Sequence, residues 1–323
     1  MPQKQSLRLG ARASAKAAVA KSTAVASEVT APGTPKASCP AATKVAKVTT
    51  YVVLLSFSGY VCSENYDTVK ITFLGTGTSQ GVPVIACECA VCMSTDSRDK
   101  RLRASLLVET ATNTFVIDAG PDFRQQMLNA SVKKVDAILL THEHKDHIAG
   151  MDDLRAFNYK SQAAIDIYAE ERVQAAVRKE YAYVFSENHY PGVPKMELHN
   201  IDNYSLKIKG DTVIPLRIFH YRLPIYGFRM GDMAYITDAN YIPEETKEKL
   251  IGVKYLVINA LRKERHISHF SLSEALDLVR EVSPRKAYIT HIGHQMGKHA
   301  EVNGELPVNV TLAWDGLEVN CDE

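Results

Sequence analysis

From Val69 onward the chain alternates between short apolar runs rich in β-branched and aromatic residues and longer stretches with apolar positions at helical spacing. The short runs predict strands at 69–74, 104–109, 114–118, 136–141, 213–220, 225–230, 232–237, 254–259, 286–290 and 309–313. The periodic stretches predict helices at 121–130, 147–157, 170–184, 243–250 and 271–282. Strands interleaved with helices bury a sheet on both faces, so the pattern predicts an α/β fold. Periodicity alone leaves open whether two sheets stack or one sheet is doubly wound. The region 69–323 has the size of one large domain.

The first 68 residues read differently, being dominated by Ala, Ser, Thr, Val and Lys. Residues 1–50 carry eight Lys/Arg and one acid, Glu28, a net +7 against +1 for the whole chain of 323, which leaves −6 on the rest. Such an acid-poor, Arg- and Ser-containing start predicts a disordered tail or an organelle transit peptide. Val48–Cys62 is apolar but shorter than the roughly 20 residues needed to span a bilayer, so no membrane span is expected. The expected location is the cytoplasm, or an organelle if residues 1–50 are a targeting segment.

The densest chemistry lies in Thr141-His142-Glu143-His144-Lys145-Asp146-His147. Three imidazoles and a carboxylate this close repel one another once the rings are protonated, so the string makes sense around a cation. Val135–Leu140 reads as a buried strand, and an extended chain puts His142 and His144 on one side, where they can grip one ion. The following run looks helical, which sets Asp146 and His147 at a strand-to-helix turn, aimed at a second ion. The alternatives are solvated histidines at a helix start or a histidine-rich tract, but the flanks carry no repeats.

This string resembles that of the metallo-β-lactamase superfamily, whose members collect further ligands downstream from a histidine, a strand-end aspartate and a last histidine. The counterparts are His220 after Val213–Phe219, Asp238 after Met233–Thr237, and His291 after Lys286–Thr290. The resemblance implies a four-layer αββα sandwich. It also implies one metal on His142, His144 and His220, another on Asp146, His147 and His291, and Asp238 as the bridge. Both metals would be divalent, zinc or manganese, with Asp146 counted in the catalytic set.

A finer resemblance lies in Thr72–Ile85, followed by Cys87-Glu88-Cys89-Ala90-Val91-Cys92. It is similar to the branch of phosphoribosyl cyclic phosphodiesterases, in which such a cysteine cluster and a histidine three residues beyond the last catalytic histidine hold a structural zinc. Here that histidine is His294. Three thiolates and one imidazole form a closed tetrahedral set with no position left for substrate. Ordinary thiols or a disulfide are the alternatives, although cysteines separated by one residue pair poorly. Cys39, Cys62 and Cys321 have no motif around them and are expected to be ordinary thiols of a reducing compartment.

Gly75, Gly77 and Gly81 follow a strand but fit neither a dinucleotide fingerprint nor a phosphate loop, so they predict a turn leaving room near the metals. His269, just before the 271–282 helix, resembles the non-ligand histidine placed near the leaving oxygen, with His266 as its rival. Asp118 resembles a strand-end aspartate that orients the histidine loop without binding metal. Lys100, Arg101 and Arg103 form a basic cluster expected to be solvated, or else to meet a phosphate.

Two cations sharing a carboxylate activate water for hydrolysis. Through the cysteine cluster, His294 and His269, the resemblance implies a phosphodiesterase for a small phosphodiester, cyclic ones included. A tRNA 3′-processing nuclease is the alternative. It is disfavoured because the body is net acidic and 158–212 offers no Gly/Pro-rich clamping arm. Thioester hydrolysis and a non-catalytic metal-binding module rank below these.

Overall fold

The computed structural model describes residues 69–188 and 190–321. The expectations for residues 1–68, and for Cys39 and Cys62, lie outside the described residues.

Among the described residues, fourteen strands form two mixed sheets. In chain order the first half contains β1 (Lys70–Gly75), β2 (Ser105–Glu109), β3 (Thr114–Ile117), α1 (Phe123–Asn129), β4 (Ala137–Leu139), α2 (Lys145–Ile148), α3 (Arg155–Ser161), β5 (Ile165–Ala169), α4 (Glu171–Glu180) and β6 (Met196–Asn200). The second half contains β7 (Leu206–Ile208), β8 (Asp211–His220), β9 (Leu223–Met230), β10 (Met233–Ile236), α5 (Glu244–Leu250), β11 (Tyr255–Asn259), α6 (Leu272–Val282), β12 (Lys286–Thr290), α7 (His299–Glu305), β13 (Val310–Leu312) and β14 (Glu318–Asn320). The sheets run β14-β1-β2-β3-β4-β5-β6 and β13-β12-β11-β10-β9-β8-β7.

Three apolar layers explain the stacking. Phe73, Phe115 and Ile117 of the first sheet meet Tyr226, Phe228, Tyr235 and Val257 of the second in a central core. Behind the second sheet, Leu216, Ile236 and Ile289 pack on Leu250, Ala275, Val279 and Val302 of the helices. Behind the first, Val116, Ile138 and Ile167 pack on Phe123, Met127, Leu154 and Val173. Helices outside two face-to-face sheets make the expected αββα sandwich. β10 is apolar at every position, and β11 at every position before its terminal Asn259, because both of their faces are covered.

Most predicted elements are present with shifted ends. The single helix expected over 147–157 is instead α2, a 3-10 turn at Met151–Leu154, and α3, because Gly150 packs against the 119–123 turn and interrupts the run. Helix α6 starts where Ser271 and Glu274 form a reciprocal capping box. Strands β5, β6, β7 and β14 were not foreseen. Of the basic cluster, Lys100 is exposed as expected and Arg103 partly so, but Arg101 is buried. Arg101 is 5 % exposed, donating to Thr76 Oγ1 (2.8 Å) and Ala313 O (2.5 Å), while Arg103 pairs with Asp122 at 3.0 Å and Lys100 Nζ donates to Cys92 O. Among the described residues, no helix is long and apolar enough to cross a membrane.

Candidate metal centre

The centre sits where strands end. β3 delivers Asp118, β4 the 141–147 turn, β8 His220, β10 Asp238 and β12 His291, all at one rim of the stacked sheets. Asp118, Asp238 and His291 take up left-handed backbone conformations, with φ of 64°, 58° and 54°, and Tyr221 beside His220 does so at 58°. Such conformations are uncommon for residues other than glycine and cluster at functional sites. Each kinks the chain sharply as it leaves a strand.

One group of donors is Asp146, His147, Asp238 and His291, whose ligand atoms all lie within 4.8 Å of one another. His147 Nε2 is 3.1 Å from Asp146 Oδ2 and 3.3 Å from Asp238 Oδ2, and His291 Nε2 is 3.0 Å from Asp238 Oδ1. Both Nε2 atoms are buried without a hydrogen bond in acceptable geometry. Nitrogens that converge on carboxylates without bonding to them are arranged about a common point, as a cation requires. Burial alone would push His147 down, but Asp118, Asp238 and Asp146 overcome it and raise its pKa well above the usual imidazole range. Burial opposes ionisation of Asp238 too, yet His291 and His147 hold its carboxyl well below the normal value.

The second group is His142, His144 and His220, with ring centroids 4.5, 5.7 and 5.2 Å apart. His142 Nε2 and His144 Nδ1 face each other at 2.9 Å, close enough for two lone pairs to share a cation. Burial pushes both rings below the ordinary imidazole value. His220 Nδ1 lies 2.8 Å from two backbone carbonyls, Asp238 O and Ser268 O, so that nitrogen carries the proton and Nε2 keeps its lone pair. The donors in both groups thus fit divalent ions.

Asp238 joins the two groups, since it also lies within 4.8 Å of His220 and His269 donor atoms. His269 is 9 % exposed, stacks on His291 with centroids 4.9 Å apart, and holds Nδ1 3.8 Å from Asp238 Oδ1. Burial, followed by the neighbouring His291, lowers its pKa to about 3, so it is a neutral imidazole at physiological pH. His266 is more open and stands one ring further out, 5.2 Å from His269.

The supports are as specific as the donors. Asp118 Oδ2 accepts from His147 Nδ1 (2.7 Å) and Thr141 Oγ1 (2.8 Å), and Oδ1 accepts from Thr141 N (2.9 Å), fixing the start of the histidine turn. Asp118 points to no other group of the centre, in keeping with the supporting role expected from the sequence.

About the cysteines, His294 Nδ1 lies 3.2, 3.4 and 3.5 Å from the Sγ atoms of Cys87, Cys89 and Cys92. Ligands of a tetrahedral zinc with Zn–S near 2.3 Å and Zn–N near 2.0 Å stand roughly 3.5 Å apart, which matches this spacing. The Cys92 backbone N–H lowers the Cys89 thiol to about 6, whereas burial raises that of Cys92 to about 11. No disulfide joins these three sulfurs.

The family model described as "Beta-lactamase superfamily domain" matches residues 113–292, more than half of the chain. The chain belongs to the metallo-β-lactamase superfamily. A solved structure described as a new diphosphatase from the PhnP family is 37 % identical, with a TM-score of 0.74, and the match covers 78 % of this chain and 97 % of that one. A Porphyromonas gingivalis protein named octanoyltransferase is 41 % identical over 258 residues, 79 % of this chain but 52 % of its own length. Ribonuclease Z of Staphylococcus saprophyticus is 26 % identical over 167 residues, 50 % of this chain and 49 % of its own. The chain spans about half the length of these curated relatives. Membership of this metal-binding superfamily accords with the donor groups described above.

Some residues that shape this metallo-β-lactamase centre had no signal in the sequence. Asn259 ends β11, donates to Ala239 O (2.9 Å) and accepts from Ala239 N (2.8 Å), clamping the turn that carries Asp238. Thr237 donates to Asp238 Oδ2 at 2.7 Å and fixes the carboxylate rotation. An Asn or Thr at a strand end is too common for either role to be read in advance.

Proposed function

We propose that this protein is a dinuclear metal-dependent phosphodiesterase acting on a small phosphodiester, cyclic ones included. The observation that carries this reading is the convergence of two donor groups on Asp238. His142, His144 and His220 would hold one ion, Asp146, His147 and His291 the other, and Asp238 would bridge them. Zinc or manganese suits these ligands. Bound there, such ions supply the Lewis acidity that ionises a water near neutral pH and offsets charge gathering on the phosphoryl oxygens. Cys87, Cys89, Cys92 and His294 would hold a structural zinc that ties the first loop to the last. The likeness to a structure described as a PhnP-family diphosphatase, which runs over nearly all of that structure, supports a phosphoryl substrate.

His269 is the proposed partner of the departing oxygen. As a neutral ring it carries one N–H, and from its place beside Asp238 and His291 that N–H would donate a hydrogen bond to the oxygen as charge gathers there. His269→Ala is expected to lower kcat by about a hundredfold or more on a diester with a poor leaving group. On an activated aryl ester the loss should be much smaller. Equal losses on both substrates would remove His269 from this role.

The ribonuclease Z relatives support a nuclease as the second reading. Residues 158–212, however, contribute to α3, β5, α4, β6 and β7, so this stretch builds the sandwich. The deciding experiment is a hydrolysis screen of metal-loaded protein against phosphomonoesters, linear and cyclic phosphodiesters, thioesters and a pre-tRNA. Turnover of small diesters is expected, with loss on chelation, recovery on adding zinc or manganese, and decline on acidification because the histidines must be neutral to bind. Turnover of thioesters alone, or full activity in verified metal-free protein, would overturn the proposal.

A further inference from the structure

Arg172, near the start of α4, belongs to neither donor group, yet its guanidinium reaches the loops that carry three of the donors. Its Nη1 donates to Oε1 of Glu143, the residue between His142 and His144. Its Nη2 donates to Pro224 O at 2.7 Å, just past the turn that follows His220. In the β8–β9 register His220 faces Leu223 and Phe219 faces Pro224, so this carbonyl is fixed relative to His220. The guanidinium is steadied from the other side. Glu170 Oε2 lies 3.4 Å from Arg172 Nη2, and Glu170 Oε1 accepts from Arg217 Nη2 at 2.7 Å. Arg217 itself lies over the Tyr226 ring, 3.8 Å from its centroid.

Glu143 is therefore more than a spacer in the histidine string. Its Oε2 is buried with no hydrogen-bond partner, and Arg172 is its paired cation. A carboxylate held this way resists displacement, because leaving its charge uncompensated in a partly buried site is costly. The forked guanidinium is suited to hold two acceptors on different loops at once, which a single ammonium is not. Asp118, by contrast, bonds directly to Thr141 and His147.

We propose that Arg172 is a positioning residue for one half of the centre. It locks the His142-Glu143-His144 segment to the β8–β9 hairpin, so that His142, His144 and His220 keep the spacing one ion demands. This rests on the two-ion reading given under Proposed function. None of Asp146, His147 and His291 lies in the His142–His144 segment or the β8–β9 hairpin, so the ion assigned to them should not sense Arg172.

The test is metal binding to the full chain, read by Co(II) absorption and by competition with a chromophoric chelator, in wild type, Arg172→Met, Arg172→Lys and Glu143→Gln. Thiolate charge-transfer bands separate the cysteine site from the histidine centre. In Arg172→Met, affinity for one of the two central ions is expected to fall about tenfold or more while the other stays within about twofold. Arg172→Lys should fall between Met and wild type, and Glu143→Gln should weaken the same ion. If Arg172→Met fails to fold, the other two variants carry the test. Equal weakening of both ions would mark a merely structural role and overturn the proposal, as would unchanged binding in folded variants. Wild type that holds two central ions while every variant binds normally sinks this inference alone. Wild type that holds none sinks the hydrolase reading with it.

Discussion

Replacing Gly120 by alanine is expected to lower the Tm by roughly 10 °C and turnover by about a hundredfold, although residue 120 bears no chemical group. A β-carbon built there would lie 1.9 Å from the carbonyl oxygen of Asp146. The obstacle is backbone, so it cannot swing aside as a side chain would. The neighbouring hydrogen bonds close the same seam, with Ala119 N donating to His147 O and Gly150 N to Ala119 O, each at 2.8 Å. Any relief must push the 144–150 turn, and with it Asp146 and His147, away from Asp238. Forcing extra volume into such a contact costs about 3 kcal/mol. Gly304→Ala is the control, because that glycine lies in α7 with nothing within 4 Å of the added carbon. It should be stabilising by about 0.5–1 kcal/mol. Thermal melts and kcat on a small diester check both, and a Gly120→Ala protein that melts and turns over like wild type would refute the argument.

Asp118→Asn should weaken metal binding and activity by about a hundredfold, with a backbone almost unchanged. Asparagine tolerates the left-handed conformation that Asp118 adopts at φ 64°, so the effect is one of hydrogen bonds. Both carboxylate oxygens act as acceptors, one for Thr141 N and the other for His147 Nδ1. An amide has one acceptor fewer. If its NH2 faces His147, the ring must move its proton to Nε2, the atom that points at Asp146 and Asp238, and the lone pair needed for a cation is lost. If its NH2 faces Thr141, a buried backbone N–H goes unpaired at a cost of about 1–3 kcal/mol. Metal titration, with the His147 tautomer read by 15N NMR, tests this. Unaltered affinity with the proton still on Nδ1 would contradict it.

The site was more legible in the sequence than the scaffold around it. His142 to His147 sit within six positions, and the family resemblance picked out His220, Asp238 and His291, each of which follows an apolar run and lies at a strand end of the same rim. The strands that escaped notice lack that contrast. β6 reads Met-Glu-Leu-His-Asn and is half exposed, and β14 is three residues at a sheet edge. β5 alternates Ile165, Ile167 and Ala169 with Asp166 and Tyr168, a pattern too short to stand out beside two long helical stretches. Arg101 misled for a different reason. A run of cations looks solvated until the fold supplies Thr76, from a strand end upstream, and Ala313, over two hundred residues later, as acceptors. Arg172 and Asn259 were silent because their partners are backbone carbonyls and a glutamate chosen by topology, which no local pattern encodes.

The pairing of β1 with β14 has a consequence for synthesis. β1 must wait for β14, and Thr76 likewise waits for Asp315, 239 residues later. At cellular elongation rates that interval is on the order of 10–50 s. During it the outer edge of β1 lacks its neighbour, and Cys87, Cys89 and Cys92 lack His294. The nascent chain therefore carries Cys87, Cys89 and Cys92 and an open strand edge through that interval, a window in which a chaperone would have most to protect.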